Sequence, residues 1–553
     1  MIGSSIDRSA MNMAGKRKKE CGGSLLSEAV PAKKKAGGSF VKKASITIYL
    51  SLMLMLIVSV ISASVLSVKV QAGRSRVANS VDQAMFSLFA QYDRDLFSKY
   101  DVFFIDGASG SGDMKIGSIY ERLTDAMEYI LKPNKGTLIG GRNLLSLSVT
   151  EGAITGYTLA TDVNGGIYAS QAVDYMKETA GIQLIALLLD KYRRSAGITE
   201  QQESQKGLLD ELQEGYSYED IEAMSGEARI ADAEEAAELA EAGYEGPTEA
   251  EARAEAVPDD FVNPLPFIEE LRRLSVYDLV LGTSADVSEK ELDGTSLVSS
   301  RGAQSGVGII DVPEGLDTFE TGIIYNEYIL THFGNYTDPE REGSVEYQAE
   351  YILQGKPSDR ENIEDMITKL LLAREASNLV FLYSSPTKSA ELGAAAEAIS
   401  ILLYIPFAEP VIKALLASGW AFCESVVDVR ALLRGKRIPF IKSDDNWQVQ
   451  LASIPDLLTE GGIDNLTGND GNGMNYTDYL RILLAVSDRQ THISRSLDLV
   501  ESTIRRKRPG FRIDCCIESL TAEFSVRSEN YVTLTEEETM RYRDFVKKSE
   551  SGS

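Results

Sequence analysis

From Ile46 to Val68 run 23 residues without a charge, ITIYLSLMLMLIVSVISASVLSV, bracketed by Lys42–Lys43 and Lys69. At 1.5 Å rise per residue such a helix reaches about 35 Å, enough to cross a hydrocarbon core of ~30 Å with some tilt. Tyr49 near one end suits the headgroup level. A cleaved signal peptide fits poorly, because the apolar stretch is too long and begins 45 residues in. Residues 1–43 hold ten Lys/Arg against three acids, a net of +7, whereas only Lys69, Arg74 and Arg76 closely follow the segment. The positive-inside bias therefore predicts a single pass, with the N-terminus cytoplasmic and the C-terminal body outside the cell membrane. A second apolar run, Ala398–Ala408, is too short to span and is interrupted beyond it by Glu409, Pro410 and Lys413; it reads as a buried helix.

Charge restricts the partners. The chain's net charge is −27, so everything after the basic tail carries −34. A polyanionic body repels phosphate backbones, which excludes nucleic acid as a partner. The tail, with its KRKK, KKK and KK blocks among Gly, Ser and Ala, is expected to be disordered near anionic headgroups.

The pattern beyond the membrane predicts an α+β, mainly helical fold with a few short strands. Val77, Val81, Met85, Leu88, Phe89, Tyr92 and Leu96 recur at three- and four-residue steps, while Asp82, Gln83, Asp93, Arg94 and Asp95 take other faces. This stripe reads either as core or as an assembly face. Residues 100–106 read as a strand or packed helix end, and 107–113 as a loop. Residues 144–149 and 153–159 read as two short strands, and a helix begins at Gln171 and continues through 182–192. Residues 200–260 hold twenty acids against three basic residues, an Ala/Glu-rich solvated or disordered insertion. Then come a helix and a strand over 264–281, a loop over 294–308, and mainly helix from Tyr325. One helix starts with Ile363, Ile367, Leu370, Leu371 and Arg374, and another runs from Val411 to Leu432 and closes at Gly435. Asn475 and Asp478 cap a long helix over 477–507, and 511–528 alternates as a terminal strand or hairpin. The organisation is thus a tail (1–43), a transmembrane helix (44–70), a membrane-proximal region (71–199), the acidic insertion (200–260), a helical extracytoplasmic domain ending in strand (261–545) and a short tail (546–553).

No motif carries a reaction. Gly355–Lys356 is followed by Pro357 and lacks the upstream glycine of a phosphate loop, GVGIID (306–311) lacks the third glycine of a dinucleotide turn, and GASGS (107–111) fails the nucleophile elbow. The only histidines, His332 and His492, stand 160 residues apart; His492 lies beside its helix stripe and reads as a surface or interfacial residue. Cys423 reads as core, and Cys515–Cys516 as packing rather than a redox pair. The Arg505–Arg508 cluster complements a helix C-terminus, and NDGNG (469–473) is a turn with too few carboxylates for calcium. No catalytic residue, cofactor or metal site is expected.

SITIYLSLMLMLIVSVISASVLSVKVQAGRSRVANSVDQAMFSLFAQYDRDLFSKYDVFFID (45–106) resembles the opening of domain of unknown function 5702, an uncharacterised bacterial membrane-protein family. VEYQAEYILQGKPSDRENI (345–363), WAFCESVVDVRALLRGKRIPFIKSDDNW (420–447), YTDYLRILL (476–484) and RSLDLVESTIR (495–505) are similar to it too. The resemblance implies association with Tad-type (Flp) pilus and secretion machinery, with a distant pseudopilin-like likeness in the first helix. Where such helices carry an early Glu this one holds Tyr49, and the fifth residue after Gly38 is Lys43, so an uncleaved anchor is expected. The reading is a non-enzymatic accessory or scaffold subunit whose partners are the bilayer and machinery subunits or itself; the alternative is a membrane-tethered binding or adhesion module with no pilus partner.

Overall fold

The computed structural model describes residues 40–131, 145–179, 217–466 (apart from 245, 256, 259, 283–285, 311, 312, 314–316, 460, 461, 464 and 465), 473–528 and 532–551. The tail up to residue 39, the helix continuation over 182–192, residues 200–216 of the acidic stretch and the turn at 469–472 lie outside them. The chain divides into two compact units, Met1–Val70 and Gln71–Ser553. It is mostly helical with one small antiparallel sheet.

Helix α1 spans Phe40–Phe89. Its apolar side chains from Ile46 to Val68 are exposed. The hydroxyls of Ser51, Ser59 and Ser64 donate to the carbonyls of Ile48, Leu56 and Val60, each at 2.8 Å. Each thus satisfies itself inside the helix, as a hydrocarbon environment requires. In the second unit Val77, Val81, Met85, Leu88 and Phe89 of the same helix are 0–2% exposed, so the 3.6-residue period becomes a core stripe.

After α1, the Asp93 carboxylate accepts from the amides of Asp95 and Leu96 at 3.0 Å and starts α2 (Arg94–Tyr100). A strand pair of residues, β1 (Ile105–Asp106), leads through the 107–113 turn to α3 (Ile116–Leu131). The expected two strands over 144–159 form one twelve-residue strand, β2 (Ser148–Leu159). Gly152, which looks like a turn residue between the two expected strands, sits inside it: a Cβ on Gly152 would lie 2.5 Å from the Phe524 ring, and one on Gly156 3.1 Å from the Val307 carbonyl. These glycines permit close approach rather than a turn.

Helix α4 begins at 166, five residues ahead of the expected start, and is described to 179. Within the acidic region, Tyr218–Glu241 form a helix, α5, opened by a capping box between Ser217 and Asp220. Ile221 buries its first turn, while most of the remaining length is exposed. Then come α6 (Glu249–Ala254), α7 (Leu265–Arg273) and α8 (Val276–Leu281). The expected strand at 276–281 is helical because the Ser275 hydroxyl accepts from the Asp278 amide and restarts a helix there.

The core of the second unit draws on α9 (Phe319–His332), α10 (Gln348–Gln354), α11 (Asp359–Ser384), α12 (Pro386–Leu402) and α13 (Glu409–Leu433), together with residues of α2, α4, α7 and the helices after 475. Helix α13, long and apolar enough to cross a membrane by length and composition, is mostly buried in this core. It ends where Gly435 takes φ +79°. The expected helix over 477–507 is two, α14 (Tyr476–Val486) and α15 (Arg489–Arg505). Asn475 and Asp478 form the expected capping box, but Asp488 caps a second start by accepting from Thr491.

The terminal alternating segment is β3 (Cys516–Arg527), the hub of the sheet. Strand β2 pairs along one of its edges, and β1 then β4 (Thr533–Arg541) pair along the other, all antiparallel. These strands, nine to twelve residues apart from β1, are longer than the sequence suggests. The chain closes with α16 (Tyr542–Ser551), whose Tyr542 hydroxyl donates to the Phe89 carbonyl at 2.9 Å.

Substituting Gly152→Val forces the Phe524 ring out of place and should cost about 1–3 kcal/mol. Gly226→Ala, on the open surface of α5, should gain up to about 1 kcal/mol by helix propensity. Urea denaturation of the full chain, followed by the fluorescence of Trp420 and Trp447, measures both.

Candidate functional site

Two ionic networks hold the core, and each draws only part of its residues from the family-like stretches. In α11, Arg374 and Asn378 are one helical turn apart; in α13, Glu424 and Asp428 are likewise. The fully buried Arg374 guanidinium donates to Asp428 Oδ2 at 2.8 Å, to the Phe440 carbonyl at 2.8 Å and to Tyr479 Oη at 3.1 Å. Lys442 Nζ pairs with Asp428 Oδ1 at 2.7 Å and with Glu424. Glu424 also accepts from the amides of Gln448 and Val449 at 3.0 and 2.8 Å. Burial opposes the charge on Asp428, but Arg374 and Lys442 outweigh it and hold its pKa below the usual range. For Glu424 burial wins over Lys442 and the pKa rises. Two cations and two carboxylates are thus mutually committed. This is a structural staple, with no group left to meet a ligand.

The second network joins the 294–308 loop to α15 and the start of β3. Arg301 forks onto Glu501 at 2.6 and 2.7 Å and reaches Asp514 at 2.9 Å. Arg505 pairs with Glu501 and Arg512 with Asp514, both at 2.7 Å. Arg508 pairs with Asp93 and Asp95 at 2.7 and 2.9 Å. The Arg505–Arg508 cluster therefore clamps the chain to itself as well as ending a helix.

Of the expected stripe, Val77, Val81, Met85, Leu88, Phe89 and Leu96 are buried and Tyr92 is half-buried. Phe89 meets Tyr542 with ring centres 4.8 Å apart, and Tyr92 packs edge-on to Phe97 and Phe103. These side chains serve the chain's own core. Cys423, Cys515 and Cys516 are buried free thiols. Burial pushes Cys423 to about 12 and Cys515 to about 11 and raises Cys516 as well, so none is a ready thiolate. His492, expected at a surface or interface, is buried. Its Nε2 lies 2.8 Å from the Ser487 hydroxyl, and desolvation lowers its pKa to about 4. Among the described residues no three His, Cys, Asp or Glu side chains converge as a metal site.

The open feature is a cavity of about 690 Å³. Its lining comes from β2 (Tyr157, Thr158), β3 (Glu518, Ser519, Thr521), β4 (Thr539, Arg541), α4 and α16. Antiparallel register sets Thr158 and Arg541 on either side of Ser519, and Thr539 beside Thr521, with their hydroxyls 2.9 Å apart. Gln171 of α4 is fixed by a two-way bond with the Phe103 backbone at 2.8 and 3.0 Å. Burial lifts Glu518 to about 7 against the opposing pull of Arg541. Sequence reading missed this site because its residues come from four distant segments. The signal that existed was the hydroxyl and charge content of the alternating 516–527 and 533–541 segments.

Residues 254–528 match the model of a family of unknown function (DUF5702). The matched part runs from α6 to the end of β3 and contains both ionic networks apart from the Asp93 and Asp95 partners of Arg508. Comparison with curated proteins and with solved structures gives no match.

Asp428→Ala leaves two cations sharing one carboxylate in the core and should cost about 3–5 kcal/mol in denaturant titration. Two buried groups give stability opposite slopes with pH. Glu350, fully buried against Tyr476, has its pKa raised to about 7 by burial. Its contribution is full below about 4.5, the unfolded value, and is lost as pH rises through 7. His492 titrates lower folded than unfolded, so protonation below about 6.5 favours unfolding. Thermal midpoints against pH should lose their decline toward neutrality in Glu350→Gln, and fall less on acidification in His492→Gln.

Proposed function

We infer that the protein is a single-pass, membrane-anchored accessory or structural subunit, with its N-terminus in the cytoplasm and its body outside the cell membrane, acting without a catalytic step in a Tad-like pilus or secretion apparatus. The observation that carries the reading is α1: residues 46–68 are uncharged and exposed all round, while Val77, Val81, Met85, Leu88 and Phe89 of the same helix form a buried stripe. An exposed apolar surface of that length has hydrocarbon as its natural solvent, and the ten preceding Lys/Arg favour the cytoplasmic side for the tail. Since the 77–96 stripe is engaged internally, assembly contacts fall to the membrane segment and to the surface of the body. The neighbourhood of such machinery is what the resemblance of the 45–106 and 420–447 stretches implies. A second reading, a tethered extracytoplasmic binding module, is favoured by the cavity.

Two experiments test this. Impermeant maleimide applied to intact cells should reach an Ala237→Cys thiol on the exposed face of α5 and leave native Cys21 unlabelled until permeabilisation; the reverse pattern overturns the topology. Crosslinking and purification of the full chain from native membranes, with the sheared surface fraction in parallel, should recover pilus-type ATPase, platform or pilin subunits. Recovery of the chain by itself overturns the machinery role and leaves the tethered module.

A further inference from the structure

We propose that Lys442 and Asp428 condense into an intramolecular amide, with Glu424 as the proton shuttle, so that the ionic staple of the core becomes a covalent one. This goes beyond the assembly role and does not depend on it. The side chains of Lys442 and Asp428 are 2% and 1% exposed, and that of Glu424 is fully covered. Lys442 Nζ lies 2.7 Å from Asp428 Oδ1, yet that oxygen accepts no aligned hydrogen bond. The amine bonds instead to Glu424 Oε1 and to the Asn446 carbonyl, the latter at 3.2 Å. Both oxygens of Glu424 also accept backbone amides, from Gln448 at 3.1 Å and Val449 at 2.8 Å. The carboxyl group left open to the amine is therefore that of Asp428. Nucleophile, electrophile and proton carrier are in contact at a site closed to solvent, which is the arrangement that proximity and general acid–base catalysis require.

The atoms balance without a co-reactant. The lone pair of the deprotonated Lys442 amine forms the new bond to Cγ of Asp428, and the Cγ–Oδ1 bond breaks with its electron pair going to the leaving oxygen. Two of the three ammonium protons travel through Glu424 to Oδ1, which departs as water, and the third stays on the amide nitrogen. Glu424 ends as it began, and nothing is oxidised or reduced. Negative charge develops on Oδ2 as the amine adds, and that oxygen already faces Arg374 Nη2 at 2.8 Å, Arg374 Nε at 3.1 Å and Asn378 Nδ2 at 3.1 Å. Donors preset on such an oxygen stabilise the tetrahedral intermediate. Arg374 and Lys442 favour the Asp428 anion, so its protonation is the uphill step. Closing the amide then removes two buried charges together with their desolvation cost. In the product the amide N–H faces Glu424, and the carbonyl keeps the Arg374 and Asn378 donors.

The test is a peptide map of the full chain, purified in detergent, denatured and digested with trypsin. An amide on Lys442 blocks cleavage after it, so the map should contain a branched species joining residues 414–430 to 438–481. That species should be lighter by one water than its two parts, and the free 438–442 peptide should be missing. Lys442→Arg should abolish the branched species. Glu424→Gln should cut its fraction roughly tenfold or more, as expected for loss of a general acid–base group. Asp428→Asn should release ammonia in place of water and converge on the same branched product. Recovery of linear 414–430 and free 438–442 from the wild-type chain overturns the proposal whatever the variants do. It is equally overturned by a water loss that maps to other residues, or by branching that survives Lys442→Arg; full branching in Glu424→Gln overturns the shuttle.

Discussion

Arg374 is the side chain on which the second unit's core depends. A guanidinium with no exposure needs its donors met inside the protein, and here they are met by Asp428, Asn378, Tyr479 and the carbonyls of Pro439 and Phe440. Those partners come from α11, α13, α14 and the connection after α13. One cation therefore fixes the relative placement of three helices and a loop. Lys442 and Glu424 complete it, and Glu424 in turn holds the amides of Gln448 and Val449. Such a cluster adds little net stability over an apolar replacement, yet any arrangement that separates its members strands a buried charge. Its effect is to penalise alternatives to this packing.

The same reasoning separates two helices that look alike by composition. Both α1 and α13 contain a window apolar and long enough to span a bilayer, but the α1 window is wholly exposed and the α13 window mostly covered. Helix α13 carries Glu424, Asp428 and Arg430 among its apolar residues. In hydrocarbon these would be costly; in the protein core the two carboxylates find the cations of the staple. Helix α1 has no charge between Lys43 and Lys69, and its serines bond to their own backbone.

The family-like stretches are best understood as carriers of this framework. Glu350, Asp359, Glu424, Asp428, Lys442, Tyr479, Asp498, Glu501 and Arg505 all fall in them, and all make internal bonds. None of these nine lines the cavity. The cavity nevertheless takes Asp101 and Phe103 from the 45–106 stretch, and the rest of its lining chiefly from β2, β3, β4, α4 and α16.

The 23-residue uncharged run, the Asn475–Asp478 cap and the glycine stop at 435 are local signals, and each corresponds to the element expected of it, whereas the helix expected from the period of 77–96 ends at Phe89 and restarts at the Asp93 cap. The one long helix expected over 477–507 missed the break because Asp488 caps only once the chain turns there, and the strand expected at 276–281 yielded to a serine cap of the same kind. Strand β2 was read as two pieces because a glycine in a sheet and a glycine in a turn are the same letter; only Phe524, more than 360 residues away, distinguishes them. The sequence by itself determined the apolar span, the helical character and the absence of a recognisable catalytic motif, since these rest on neighbours within a few turns of chain. Tertiary structure alone decided that the stripe after the span faces inward, that the scattered charges form closed networks, and that four remote segments line one cavity. Burial and charge pairing are properties of what lies across space, and no local pattern encodes them.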